Sequence, residues 1–192
     1  MSEVKRKIVT IGGGTGTFVV LSGLKHLENV KLTAIVSVVD DGGSTGRLRD
    51  AYGFLPPGDA RQALVALADD ADGGLIRQLF SYRFTKGDIA GHNLGNLLLT
   101  GLSDILGSGA DAIDAASKTL RVKGRVVPVS TTPATLVAQL EDGQTLVGEH
   151  VIDERIPGRA HIVELSTAEN VEANPVALDS IKNAKVIVLG PG

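Results

Sequence analysis

Lys7-Ile8-Val9-Thr10-Ile11-Gly12-Gly13-Gly14-Thr15-Gly16-Thr17 decides the fold. The segment Lys7–Ile11 is short, apolar and rich in β-branched residues before it meets glycine, the pattern of a buried strand. Beyond the glycines, Phe18, Val19, Leu21, Leu24 and Leu27 recur at helical spacing and predict a helix ending near Glu28. A second strand is expected over Leu32–Val39, stopped by Asp40-Asp41-Gly42-Gly43. Strand, glycine turn, helix, strand is a βαβ unit, whose crossover is almost always right-handed.

From this unit the rest of the chain falls into place. Helices are predicted over Asp59–Ala68, Leu75–Phe84, Asn93–Leu106 and Ala112–Leu120. In the third, Leu94, Leu97, Leu98, Leu102, Ile105 and Leu106 share one broad face, which predicts a well-buried helix. This helical middle reads as an insertion or as one layer of the fold. Val126–Val129 returns to strand, and Leu136–Leu140 with Gln144–Val151 predicts a hairpin turned by Glu141-Asp142-Gly143. Ile162–Leu165 is a further short strand. Asn174 and Pro175 mark a helix start, as cap and first residue, for a helix reaching Asn183. Lys185–Leu189 has the composition of a buried parallel strand and runs into Gly190-Pro191-Gly192. The expected architecture is α/β: a Rossmann-like three-layer sandwich with a mostly parallel sheet, a helical middle segment and a β-hairpin. Residues 1–192 read as a single nucleotide-binding domain, incomplete at the C-terminus because no helix follows the last strand.

Composition narrows the function. Aromatics make up 3% of the chain, so the core rests on Val, Ile, Leu and Ala, which suits helices on a parallel sheet. With a net charge of -3 and so few rings for base stacking, nucleic acid is not an expected partner. The absence of cysteine excludes disulfides, thiol catalysis and zinc–thiolate sites. No run of about 20 apolar residues is present to span a membrane, and Gly12–Thr17 interrupts the only signal-like start. Cytoplasm is the expected location. A homo-oligomer is compatible with this reading, since an unfinished sheet exposes an edge.

Four loops carry the candidate chemistry. The first, Gly12-Gly13-Gly14-Thr15-Gly16-Thr17, lets backbone approach a phosphate at a helix N-terminus, with Thr15 and Thr17 adding hydroxyls. It departs from the dinucleotide fingerprint G-x-G-x-x-G, because Thr17 stands where the last glycine belongs, and no Walker lysine follows. The second, Asp40-Asp41-Gly42-Gly43-Ser44-Thr45-Gly46-Arg47, follows the second strand, where ligands of open α/β sheets bind. Its acids suit a ribose hydroxyl or a hard divalent cation, with magnesium on Asp41 the candidate; Ser44, Thr45 and Arg47 suit phosphate. In the third, Pro56-Pro57-Gly58-Asp59-Ala60-Arg61, Asp59 reads first as a helix cap, and Arg61 could reach a diphosphate. The fourth, Gly91-His92-Asn93-Leu94-Gly95-Asn96, opens a helix and gathers His92, Asn93 and Asn96 as ligands for phosphate or sugar hydroxyls. His26, His150 and His161 are assigned no role. No catalytic triad, metalloprotease or kinase pattern is present.

Taken together, Gly12–Gly16, Asp40–Arg49, Pro56–Asp59 with Arg61, and Gly91-His92 with Leu94-Gly95-Asn96 resemble the YvcK-type gluconeogenesis factors, of the 2-phospho-L-lactate transferase superfamily. Val186–Gly192 resembles the start of that family's second site loop, which adds Gly190 to the site. The likeness covers the whole chain and about three fifths of a typical member. It implies a Rossmann-like fold with a nucleotide pocket where the glycine loops meet. The YvcK branch implies binding of a uridine diphosphate sugar, of the UDP-N-acetylglucosamine kind, and a role in gluconeogenic growth and cell shape. The transferase branch implies phospholactate transfer from a guanosine diphosphate-activated donor, with magnesium. The long Asp-Asp-Gly-Gly-Ser-Thr-Gly-Arg loop favours the first. Asn93 and Thr45 stand where serine is expected, and both keep hydrogen-bonding groups.

Overall fold

Alternation along the strands of the parallel sheet assigns their buried residues to its two faces. In the computed structural model, which describes residues 5–69 and 74–191, β1 (Arg6–Ile11) pairs in parallel with β2 (Val30–Val36) and with β7 (Val186–Leu189), and β2 pairs in parallel with β3 (Arg125–Pro128). The order is β3-β2-β1-β7, so the first strand of the chain lies inside the sheet. Ile8, Leu32, Ala34, Val36 and Val126 point to one face, and Val9, Ile35 and Val127 to the other.

The first face is covered by α1 (Gly14–Leu24), α3 (Pro57–Leu67) and α6 (Gly109–Thr119) through Leu21, Leu64, Leu67, Ile113 and Ala116. Leu21, Leu64 and Leu67 are fully enclosed, and burial of each such side chain contributes about 2 kcal/mol. On the second face α8 (Pro175–Lys182) presents Ala177 to Val9, Ile35 and Val127. Asn174 caps α8 as expected, its Oδ1 accepting from the Val176 N–H at 2.9 Å. Helix, sheet and helix make the three layers.

A smaller antiparallel sheet holds the predicted hairpin, β4 (Leu136–Leu140) with β5 (Thr145–Val147), and adds β6 (Ile162–Thr167) on the other side of β4. The hairpin's second arm is shorter than expected. Beyond Val147 the chain turns at Gly148 into a short helix, α7 (Glu149–Asp153), so residues 148–151 are not strand.

Four further expectations change. The second glycine-rich loop is not loop throughout: α2 (Gly43–Tyr52) begins inside it and ends on the left-handed Gly53. α4 (Leu75–Ser81) stops short of Phe84, and α1 stops at Leu24 rather than near Glu28. The largest change concerns α5 (Leu94–Leu106), whose buried side is Gly95, Asn96, Leu99, Thr100 and Ser103. Its leucine face is turned largely outward, with Leu98 40%, Ile105 79% and Leu106 46% exposed. The reason is positional: α5 packs mainly on α6, α4, α3 and α2, and only its inner side, through Leu99, joins the core beneath. The helical middle therefore supplies both the covering layer and α5 packed on it.

Candidate functional site

β1, β2 and β7 are parallel, so their C-terminal ends bring three separate loops to one rim of the sheet. α1 starts from Gly13 at the end of β1 and α2 starts from Gly42 after β2, and neither glycine has a side chain to cap its own helix. Both first turns thus keep backbone N–H groups and the positive end of a helix dipole facing this rim.

Asp59 links the first and third loops. It is not the cap of its own helix, since α3 begins from Pro56. Its carboxylate reaches across to α1 and accepts the Gly14 N–H at 2.8 Å. The approach requires glycine at 13, where a Cβ would overlap that carboxylate. Asp40 comes beside it: its Oδ1 accepts the Gly42 N–H at 3.0 Å and its Oδ2 lies against Gly58.

The second and fourth loops interlock through buried polar groups. Asn96 Oδ1 accepts from Arg61 Nε at 2.9 Å, while Asn96 Nδ2 donates to Ser44 Oγ and Thr45 Oγ1, each at 3.4 Å. Ser44 Oγ also lies 3.1 Å from His92 Nδ1 and accepts the Asn93 N–H at 3.4 Å. Asn93 caps α5 by accepting the Asn96 N–H. Ser44 is therefore engaged on all sides and 5% exposed, which makes it a positioned strut rather than a free nucleophile.

Gly190 completes the rim. A Cβ there would meet Thr17 Oγ1, the atom that also borders Gly12. Thr17 is 3% exposed and its hydroxyl has no hydrogen-bond partner among the described residues. Pro191 lies against Gly16, and Gly192 falls outside the described residues.

The remaining predicted residues stand further out. Thr15 faces a groove of about 630 Å³ between α1, α3 and α4, also lined by Phe18, Arg61, Gln62 and Val65. Gly43 and Arg47 are exposed, although Arg47 lies near Gly91. Asp41 meets the turn after β5, a segment expected as hairpin strand and given no role in the site. Its Oδ1 accepts the His150 N–H at 2.8 Å and its Oδ2 lies against Gly148. The Gly148-Glu149-His150 turn thus joins the site through its backbone, although no role was assigned to His150. The only trace in the sequence is a glycine and an acid directly after the hairpin.

The charges here strain against one another. Burial raises the Asp59 pKa, opposed by the Gly14 hydrogen bond and reinforced by Asp40. Burial likewise raises Glu149, with Asp40, Asp41 and Asp59 adding to the shift. Burial lowers Arg61, helped by Arg83, and lowers His92, helped by Arg47, which keeps the imidazole neutral near pH 7. Among the described residues no three acid or histidine side chains are placed to hold a metal ion unaided, and no helix is long and apolar enough to cross a membrane.

Known proteins share this arrangement. The gluconeogenesis factor of Listeria innocua is 44% identical over 191 residues, spanning 99% of this chain and 58% of that protein. That of Bacillus subtilis is 44% identical over 189 residues, spanning 98% and 58%. The crystal structure of a UPF0052 family member from Bacillus halodurans superimposes with a TM-score of 0.91 at 43% identity, covering 98% of this chain and 59% of that one. The chain therefore spans somewhat under three fifths of the length of these relatives. The family model for 2-phospho-L-lactate transferase CofD matches residues 8–192. From Ile8 onward, then, this chain belongs to the CofD family.

Proposed function

We propose that the rim binds the diphosphate of a nucleotide sugar, and that the protein is a regulatory binding factor needed for growth on gluconeogenic carbon. The observation carrying this reading is the convergence of the N-termini of α1 and α2, the buried unpartnered Thr17 hydroxyl and Arg61 at one end of the sheet. The groove beside Thr15 and Arg61 offers room for the remainder of the ligand. Relatives named gluconeogenesis factor support the physiological role, and the saturated Ser44 supports binding over covalent chemistry. The ligand class we favour is a uridine diphosphate sugar resembling UDP-N-acetylglucosamine, with an accompanying role in maintaining cell shape.

One observation favours a second reading. Asp40, Asp41, Asp59 and Glu149 lie close enough for their charges to raise Glu149. Such a cluster repels a bare diphosphate and suits a phospholactate-type transferase that takes a guanosine diphosphate-activated donor with magnesium. That ion, in its usual partly hydrated form, would be held by Asp41 with Asp40 and by the ligand's own phosphate oxygens. The bound ion would neutralise diphosphate charge.

Calorimetry with UDP-N-acetylglucosamine, GDP and NAD, with and without magnesium, separates the readings. Selective binding of the uridine sugar without turnover supports the factor. Magnesium-dependent preference for GDP, with phospholactate transfer, replaces it with the transferase. Binding of none of them to the chain refutes the assignment of the rim.

A further inference from the structure

The amino-terminal end of the parallel sheet is crowded with lysine. Lys7 is level with Lys31 across the β1–β2 pair. It is also level with Lys185 beside β7, whose N–H donates to the Lys7 carbonyl at 2.9 Å. Lys123 extends the row beyond β2, because Arg125 is level with Thr33 and so places Lys123 beside Lys31. Four lysines thus stand side by side across the four strands, about 5 Å apart and about 14 Å from end to end. All four are exposed, and none has a carboxylate partner among the described residues. Like charges on adjacent strands destabilise a sheet, and an uncharged segment laid over them would bury unpaired ammonium groups at greater cost.

Two cavities open at the same end. One, of about 640 Å³, is lined by Lys5, Lys25, Lys31 and Lys123 where the chain passes from α1 into β2. The other, also of about 640 Å³, lies beside β7 and is lined by Lys5, Arg6, Lys7, Lys182 and Lys185. They meet at Lys5. Between them they are lined by seven of the chain's nine lysines and by one acid, Glu28. The inner wall of the first is fixed: Lys25 is 8% exposed and donates to the Ala68 carbonyl at 3.0 Å. In a chain of net charge -3, this is a local reversal of sign.

We propose that this end of the sheet is a second anion site, for a small molecule carrying two or more phosphate groups. Lysine binds phosphate as a compact point charge, and two phosphates of nearly two charges each balance a row of four. Concave walls favour a small molecule over a flat surface. No aromatic side chain lines either cavity, so a nucleic acid strand finds no platform for its bases. The site is separate from the rim at the carboxyl ends of the strands. The six residues of β1 hold the two about 20 Å apart, and the assignment does not depend on what the rim binds.

Calorimetric titration with inorganic tripolyphosphate, at low salt and without magnesium, tests the site. Saturable binding is expected, and Lys7→Gln combined with Lys31→Gln is expected to weaken it about ten-fold or more. A control of equal charge loss, Lys86→Gln with Arg155→Gln, removes two exposed cations that line neither cavity and is expected to leave the affinity unchanged. Without ligand, the lysine variant should melt no lower than the wild type at the same salt, because it relieves repulsion. Absence of saturable binding overturns the proposal. So does binding that survives the lysine variant, or that the control weakens equally. Binding of an oligothymidylate in place of tripolyphosphate also overturns it, by assigning the lysines to nucleic acid. A lower melting temperature for the unliganded lysine variant refutes it as well, since the lysines would then be held by partners within the chain.

Discussion

Replacing Asp59 tests the site's central contact, because asparagine and alanine remove different parts of it. The carboxylate does two opposing things: it accepts the Gly14 N–H at 2.8 Å, and it carries a charge into a poorly hydrated space beside Asp40. Asp59→Ala loses both, leaving the first N–H of α1 without its acceptor. Loss of a cap of this kind costs about 1 kcal/mol, up to about 2 kcal/mol. In a chain of this size that corresponds to a fall in Tm of roughly 2–8 °C. Asp59→Asn keeps an oxygen acceptor and removes the charge, so it should be close to neutral. Its effect should also depend on pH. The folded-state pKa of Asp59 is raised, so the wild type holds the associated stability below the unfolded value near 3.8 and loses it as pH rises through the folded value. Asp59→Asn should therefore gain on the wild type as pH rises above about 4. Urea unfolding followed by circular dichroism, at pH 4.5 and pH 7.5, measures all three proteins. If Asp59→Ala matches Asp59→Asn at pH 7.5, or if the gap between Asp59→Asn and wild type is the same at both pH values, the reasoning fails.

Other perturbations address the rest of the rim. Asn96→Ala severs contacts to Arg61, Ser44 and Thr45 at once and should destabilise by about 2–4 kcal/mol, against a change within about 0.5 kcal/mol for an exposed control such as Asp142→Ala; comparable urea midpoints would contradict this. Glu149→Gln should strengthen nucleotide binding in the absence of magnesium at pH 7.5, by removing one of the crowded acids, and the gain should shrink on acidification as the wild-type carboxyl takes up its proton; calorimetric titration across pH reads both trends. His92 should stay neutral below the ordinary histidine midpoint of 6.5, with the stability it contributes lost as pH falls through its lowered value; nitrogen NMR showing a protonated ring at pH 6.5 would contradict it.

Local rules reached far into this protein. The alternation of Ile8, Val9, Thr10 and Ile11 and the glycines that follow were enough for β1, the first turn and the crossover, because a parallel strand buried on both faces leaves a plain apolar signal. Asn174 and Pro175 marked α8 for equally local reasons. What stayed hidden depended on partners distant in the chain. Asp59 looked like the cap of its own helix, yet caps a helix 45 residues earlier. Asp41 meets the His150 N–H across 109 residues, and a backbone contact leaves no mark in residue type. The second loop was rich enough in glycine to mask a helix whose first turn it forms. On α5 the largest apolar residues pointed to the wrong face, because the inner side packs closely through glycine, asparagine and small hydroxyl residues.

The place of β1 between β2 and β7 carries a consequence for how the protein is made. β1 leaves the ribosome well before β7, and its pairing with β7 waits for residues synthesised some 175 positions later. At ordinary rates of translation that interval is roughly 10–40 s. Throughout it, one edge of Ile8–Ile11 is open to any strand that passes, and the space between Gly12 and Thr17 lacks the backbone that will close it. The nascent chain can build α3 and α6 over β2 and β3 early, but the rim at the strand ends is complete only when synthesis has delivered Gly190.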